Sequence, residues 1–360
     1  MRPRCAGHHR LARRKHGRER TMTTFLATLL DLVLRLALWL LVAPLLPGIV
    51  NRVKAWVAGR RGPPLLQLYY DLARLWRKGV VLSDLASPGF IAGPAIAWVA
   101  LLGAALLMPL GPAGGALDFR GDVFLFVYLL AVARFCTAWA ALETGSAFEG
   151  MGAAREVSFA VIAEAALITA ILALAVQSGS VALDAMLDHP PGGGALMLAA
   201  GLFTVLLAEN CRVPFDDPNT HLELTMIHEA MILDHSGPPL AIILHGAAMK
   251  LLLFAVLLPQ TVLPMGEWPP LAAAGILAGS VLVVTIGVGL VESLLARLAF
   301  RQVPLLLTTA FLLCLFALLL ALRSGGAPAA ADDAQHRPVA ANFSHESARR
   351  FAPGMEGGAP

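Results

Sequence analysis

One run decides the reading: Ala208-Glu209-Asn210-Cys211-Arg212-Val213-Pro214-Phe215-Asp216-Asp217-Pro218-Asn219-Thr220-His221-Leu222-Glu223-Leu224-Thr225-Met226-Ile227-His228-Glu229-Ala230-Met231-Ile232-Leu233-Asp234-His235-Ser236-Gly237. Six carboxylates, Glu209, Asp216, Asp217, Glu223, Glu229 and Asp234, face a single Arg212, with His221, His228 and His235 among them. The apolar blocks on either side are long enough to cross a bilayer. An acidic cluster wedged between membrane spans is costly to bury and marks a functional site.

Working outward, the 360 residues are 58% hydrophobic and 14% charged, against roughly 25% charged in a soluble protein. Eight spans are expected, near 25–47, 90–110, 122–142, 156–178, 195–210, 239–263, 270–292 and 302–322. Each is close to the roughly 20 residues a helix needs to cross the hydrocarbon core. The fold class is therefore all-α, a polytopic integral membrane protein with amphipathic helices in its cytoplasmic loops. Trp39, Trp56, Trp98, Trp139 and Trp268 are expected near span ends, where indole rings favour the interface. The net charge of +3 does not argue for nucleic acid, because most basic residues adjoin spans.

Lysine and arginine placement sets the orientation. The connection after the first span holds Arg52, Lys54, Arg60, Arg61, Arg74, Arg77 and Lys78. Arg155, Arg212, Arg297 and Arg301 follow spans three, five and seven, while the alternate connections are nearly bare. The rich set is assigned to the cytoplasm and both termini to the other side. The first 21 residues carry eight basic side chains and contradict this. A start at Met22 removes the conflict, so residues 1–21 are expected to be a non-native or disordered extension. Residues 22–323 form the membrane domain, and 324–360, rich in Ala, Gly and Pro, a disordered tail.

Cys5, Cys136, Cys211 and Cys314 make no CxxC, so an iron–sulfur cluster or structural zinc is not expected. His228-Glu229 begins like a zincin motif, but position 232 is Ile. Asp216, Asp217 and His221 form a weak di-metal candidate. Asp31 and Arg35 stand one turn apart and can pair. Arg134 stands mid-span, Glu164 two turns into span four, and Glu209 and Arg212 close span five at i,i+3 spacing, where they are expected to interact. Lys250 lies near the middle of span six and is expected to face a carboxylate or a wet cavity. Charges of both signs on several spans argue for a polar path through the bundle.

Two segments look amphipathic. In Pro63–Lys78, Leu65, Leu68, Leu72, Leu75 and Trp76 share one helical face, with Asp71, Arg74, Arg77 and Lys78 opposite. That is a helix lying on the membrane surface, an anchor or a docking floor for a soluble partner. After Pro218, His221, Thr225 and His228 form a second helical stripe.

These residues carry a resemblance. Ala208-Glu209-Asn210-Cys211-Arg212-Val213-Pro214-Phe215-Asp216 resembles the signature of the subunit-1 family of respiratory complex I. The continuation through Asp217, His221, Glu223, His228, Glu229 and Leu233–Gly237 is more similar to its hydrogenase branch, the membrane subunits of hydrogenase-4, formate hydrogenlyase and related energy-converting hydrogenases. Arg61-Gly62-Pro63, Leu66-Gln67, Asp71 and Lys78 resemble the family's first loop. Gly152–Glu156, with Glu164 following, resembles its middle loop and buried glutamate. In the quinone-reducing branch the positions of Asn219 and His221 would be acidic and the stretch between Leu224 and Asp234 shorter.

The resemblance implies a bacterial inner-membrane subunit without redox centres of its own. It would seat soluble hydrogenase-like large and small subunits, which carry the iron–sulfur clusters and a nickel–iron centre, and join them to antiporter-like membrane subunits. Glu164, Glu209, Arg212, Asp216, Asp217, His221, Glu223, His228, Glu229, Asp234 and Lys250 become the expected coupling path. Arg61, Gln67, Asp71, Arg74, Arg77, Lys78, Arg155 and Glu156 become the expected docking set. A quinone-reactive NADH dehydrogenase subunit and a stand-alone ion-coupled transporter are the alternatives.

Overall fold

Apolar runs of this length satisfy their backbone in lipid by forming helices. The computed structural model has that form, and it describes residues 26, 28–82, 86–216, 226–266, 268–295, 298, 299 and 301–325. Asp217, His221 and Glu223, the 1–21 extension and the tail from residue 326 lie outside them.

The first span is a broken rod. α1 (residues 28–42) and α2 (Leu45–Val57), with the two residues between them, span 30 residues. The break falls at Ala43–Pro44, as the missing N–H of proline dictates. α3 (Gln67–Leu75) is the expected surface helix, with Leu72 buried and Arg74, Arg77 and Lys78 exposed. Its side chains at 65 and 76 remain exposed, so only part of the predicted apolar face is used. α4 (Pro88–Leu107) starts at Ser87, whose Oγ accepts from the Gly89 N–H.

α5 (Asp122–Leu142), α6 (Ala147–Ser178), α10 (Gly237–Gln260), α11 (Pro270–Leu294) and α12 (Val303–Gly325) complete the long helices. Seven helical spans, counting α1 and α2 as one, are long and apolar enough to cross a membrane among the described residues. The short helices are α7 (Leu183–Leu187), α8 (Ala195–Glu209) and α9 (His228–Met231). α9 is all that is described of the predicted stripe after Pro218.

α12 packs along α6 and α8, α4 along α5 and α10, and α2 along α11. Small residues permit the closest approaches. A Cβ at Gly201 would meet Cys314 Sγ at 2.5 Å, and one at Gly48 would meet the Leu65 carbonyl oxygen at 2.0 Å. Two tryptophan expectations are corrected. Trp39 is 1% exposed, in the core between helices. Trp98 lies mid-α4 with its indole N–H donating to His245 Nδ1 at 3.0 Å. Each was assigned to an interface by its distance from a span end. The break at Pro44 and the contact with α10 place them inside.

Candidate functional site

α8 differs most from expectation. Its 15 residues reach about 22 Å at 1.5 Å per residue, short of the roughly 30 Å hydrocarbon core. The helix closes in a Schellman pattern: the Cys211 N–H bonds to the Ala208 carbonyl (3.1 Å) and the Arg212 N–H to the Leu207 carbonyl (2.9 Å). Cys211 takes the left-handed position that glycine usually fills, with φ 48°. The chain turns back here, and the segment after it stays inside the bundle: Val213, Phe215 and Asp216 are all buried. Irregular backbone survives at such depth only where protein encloses it. A connection between two spans on the basic side is expected to lie at the cytoplasmic surface. The first part of this acidic loop is instead recessed to the level of mid-helix residues on α5 and α10.

There it meets charges from three other helices. The guanidinium of Arg134 on α5 donates to the carboxylates of Glu164 on α6 and Glu209 at the end of α8. Its Nε lies 3.8 Å from Glu156, also on α6. Lys250 on α10 reaches the other oxygen of Glu209 at 3.4 Å. The Arg134 side chain is 9% exposed and that of Glu209 2%. Lys250 thus finds the carboxylate expected of it.

The predicted pairing of Glu209 with Arg212 is not made. The left-handed turn at Cys211 ends the helical register, so i,i+3 geometry no longer applies. Arg212 swings to Glu292 on α11 (3.2 Å), which also binds Lys54 on α2 (2.9 Å). Two ion clusters result. The inner one has two cations, Arg134 and Lys250, for three carboxylates, Glu156, Glu164 and Glu209; the outer has Lys54 and Arg212 for Glu292.

A cavity of about 80 Å³ opens on the inner cluster between α4, α5 and α10, lined by Trp98, Arg134, Glu156, Glu209, Cys211, His228 and Lys250 among others. It has room for about three waters, at about 30 Å³ each in the liquid. A smaller one of about 20 Å³ lies beyond, and Arg134, Glu156, Glu209 and Cys211 line both. The charged group is therefore a polar septum between two small cavities whose remaining lining is mostly apolar.

The rest of the loop is organised around it. The Asp216 carboxylate accepts from the N–H groups of Ile227 (3.0 Å) and His228 (3.1 Å). Burial lowers the pKa of His228, and its Nε2 is buried without a hydrogen-bond partner among the described residues. Glu229 is half-buried and Asp234 exposed, with the Asp234 N–H held by the buried Glu149 at 3.0 Å. Cys211 Sγ lies 3.6 Å from Glu156, and burial pushes its thiol pKa well up.

Two docking expectations are corrected. Glu156 belongs to the inner cluster, because its side chain points into the bundle and is only 13% exposed. Arg155 is half-buried and donates to the Met226 carbonyl at 3.1 Å, tying α6 to the recessed loop. Arg61, Arg74, Arg77 and Lys78 remain exposed. Gln67 and Arg74 both engage Asp71, at 3.1 and 3.2 Å. Val81 and Ser236 bond across the two loops (2.9 Å), so the α3 region and the end of the acidic loop lie side by side. In the sequence Arg134 stands out only as a mid-span charge and Lys54 only as a topology marker; packing brings both, and Glu292 at the end of α11, into the site.

A multi-pass membrane protein with a recessed acidic loop and a buried ion network is the class these features define. Residues 30–323 match the NADH dehydrogenase family, and the chain belongs to that family. Hydrogenase-4 component C of Escherichia coli is 30% identical over 270 residues, covering 72% of this chain and 84% of that protein. Formate hydrogenlyase subunit 4 of the same organism is 30% identical over 275 residues, 73% of this chain and 89% of its own length. A subunit of the NADH-quinone oxidoreductase of Rubrobacter xylanophilus is 25% identical over 263 residues, 68% and 75% of the two chains. A chain of the membrane-bound sulfane sulfur reductase, an archaeal respiratory membrane complex, shares the fold with a TM-score of 0.72 at 20% identity, over 82% of this chain and 99% of that one. The resemblance carried by Ala208–Gly237 thus holds, with hydrogenase-type relatives at the higher identities.

Proposed function

We propose that this chain is the membrane-anchoring and coupling subunit of a hydrogenase-4 or formate hydrogenlyase type oxidoreductase complex in a bacterial inner membrane. It links soluble redox subunits to the movement of protons or sodium ions. The observation that carries this is the septum: Arg134 holding Glu164 and Glu209, with Glu156 and Lys250 beside them and a cavity on each side. Buried ion networks contribute little net stability. Their retention across four helices fits a path for charge.

In this reading the chain carries no redox centre. The soluble large and small subunits bring iron–sulfur clusters and a nickel–iron centre, and antiporter-like membrane subunits continue the path. The exposed face of α3, with Arg61, Arg74, Arg77 and Lys78, is the docking floor for the soluble arm. Glu209, Glu164 and the loop through Asp216, His228 and Glu229 respond to redox turnover next to it. Asp217, His221 and Glu223 are proposed members of the same loop by sequence alone.

Glu209→Gln tests the proposal. It keeps shape and hydrogen bonding but removes the titratable group. Expected is a fully assembled complex whose redox-linked ion uptake in membrane vesicles falls about tenfold or more, within reach of a lost proton-transfer group. Normal uptake in an assembled Glu209→Gln complex removes Glu209 from the path.

A further inference from the structure

The break between α1 and α2 has polar contacts that the site does not use. Pro44 has no N–H to offer the carbonyl of Leu40 four residues earlier. That carbonyl instead accepts from His245 Nε2 on α10, at 3.1 Å. The neighbouring carbonyl, Leu41, accepts from the hydroxyl of Tyr69 on α3. His245 in turn accepts the Trp98 indole N–H at its Nδ1. These two bonds fix one neutral tautomer, with Nε2 protonated and Nδ1 an acceptor.

We propose that this break is a joint through which the position of the surface helix α3 is passed to the wall of the charged cavity. The route is short: Tyr69 to Leu41, the adjacent Leu40 to His245, and His245 to Trp98, which lines the cavity together with Gly246 of α10. His245 and Tyr69 are positioning residues, since neither lines the cavity. The far side of the joint is also anchored. Gly48 of α2 lies so close to Leu65, at the entry to α3, that no side chain fits between them, and Lys54 at the end of α2 holds Glu292. α2, packed along α11 and held by Lys54, is the fixed side of the joint, so a shift of α3 reaches the break through Tyr69 and Leu41, and Trp39 holds the end of α1 in the core. That a docked soluble subunit is what shifts α3 rests on the reading above. The joint itself does not.

The test reads geometry and needs no turnover. In membranes holding the assembled complex, Cys5, Cys136 and Cys314 are replaced by Ala, so that Cys211, which lines the cavity, is the only thiol of this chain. Its alkylation by N-ethylmaleimide is followed by mass spectrometry of its peptide. Burial keeps the parent thiol slow, so a loosened wall registers as a faster rate.

Tyr69→Phe removes one hydroxyl remote from the cavity and is expected to raise the rate at least about twofold, the lower end of coupling within one bonded network. His245→Leu should raise it similarly, and the double variant should match the larger single effect. His245→Gln can still donate to Leu40 and accept from Trp98, and should return the parent rate. A parent rate in Tyr69→Phe, or effects that multiply in the double variant, overturns the joint. If His245→Leu does not accumulate, Tyr69→Phe alone and combined with His245→Gln carries the test. Loss of ion uptake in Glu209→Gln with unchanged Cys211 rates separates a failed joint from a failed coupling role.

Discussion

Replacing Arg134 with Met is the most demanding perturbation of the site. The guanidinium is 9% exposed, donates to Glu164 and Glu209, and has Glu156 3.8 Å from its Nε. Met fills most of its volume but leaves three carboxylates with Lys250 alone. Removing one partner of a buried ion pair costs about 3–5 kcal/mol, because the remaining charge is stranded. Against a total stability of about 5–15 kcal/mol, that is about a fifth or more. The yield of assembled complex from Arg134→Met membranes should therefore fall several-fold, and its thermal midpoint in detergent should drop. Adding Glu209→Gln removes one stranded carboxylate and restores the parent excess of one negative charge. The double variant should recover part of the loss, a non-additivity of about 1–3 kcal/mol. Wild-type yield and midpoint in Arg134→Met, or a double variant worse than the sum of its parts, would refute the hub.

Further outcomes are expected elsewhere. Reversing Arg74 and Arg77 to Glu should release the soluble arm during purification, and a full-strength complex would count against docking through α3. His235 sits in the loop before α10, 4.0 Å from the Phe90 ring, and burial depresses its pKa to about 4. The unfolded chain then binds more protons between about pH 4 and its ordinary value near 6.5. Stability should be flat above pH 6.5 and fall as pH drops towards 4, and His235→Phe should flatten the midpoint-against-pH curve across that window. Reporter fusions at Gly79 and Leu187 should give cytoplasmic and periplasmic signals, and the reverse would invert the topology.

The span pattern was legible because hydrophobic length is a local property. The Ala208–Gly237 run announced both family and site for the same reason: its carboxylates are contiguous in sequence. What stayed hidden depended on long-range packing. Arg134 meets Glu209 75 residues on and Glu164 30 residues on, and no periodicity reports which faces of α5, α6 and α8 converge. Glu156 read as a surface residue because its neighbour Arg155 is basic and loop-like. The Glu209–Arg212 error has a sharper cause. A spacing rule for helices was applied across a helix end, and the cysteine at the left-handed position gave no warning that a glycine would have given. The shortness of α8 was visible in the residue count, yet its meaning, a loop drawn into the bundle, required the neighbouring helices.

The two ion clusters hold four fixed positive and four fixed negative charges between them. Such an arrangement has no vacant seat. A proton landing on Glu209 takes it out of partnership with both Arg134 and Lys250, and one landing on Glu292 does the same to Lys54 and Arg212. Occupancy and posture are thus tied together: the residues cannot change their protonation and keep their places. A cluster whose members merely neutralised one another in place would be indifferent to pH, whereas this one has to rearrange whenever Glu209 or Glu292 gains a proton.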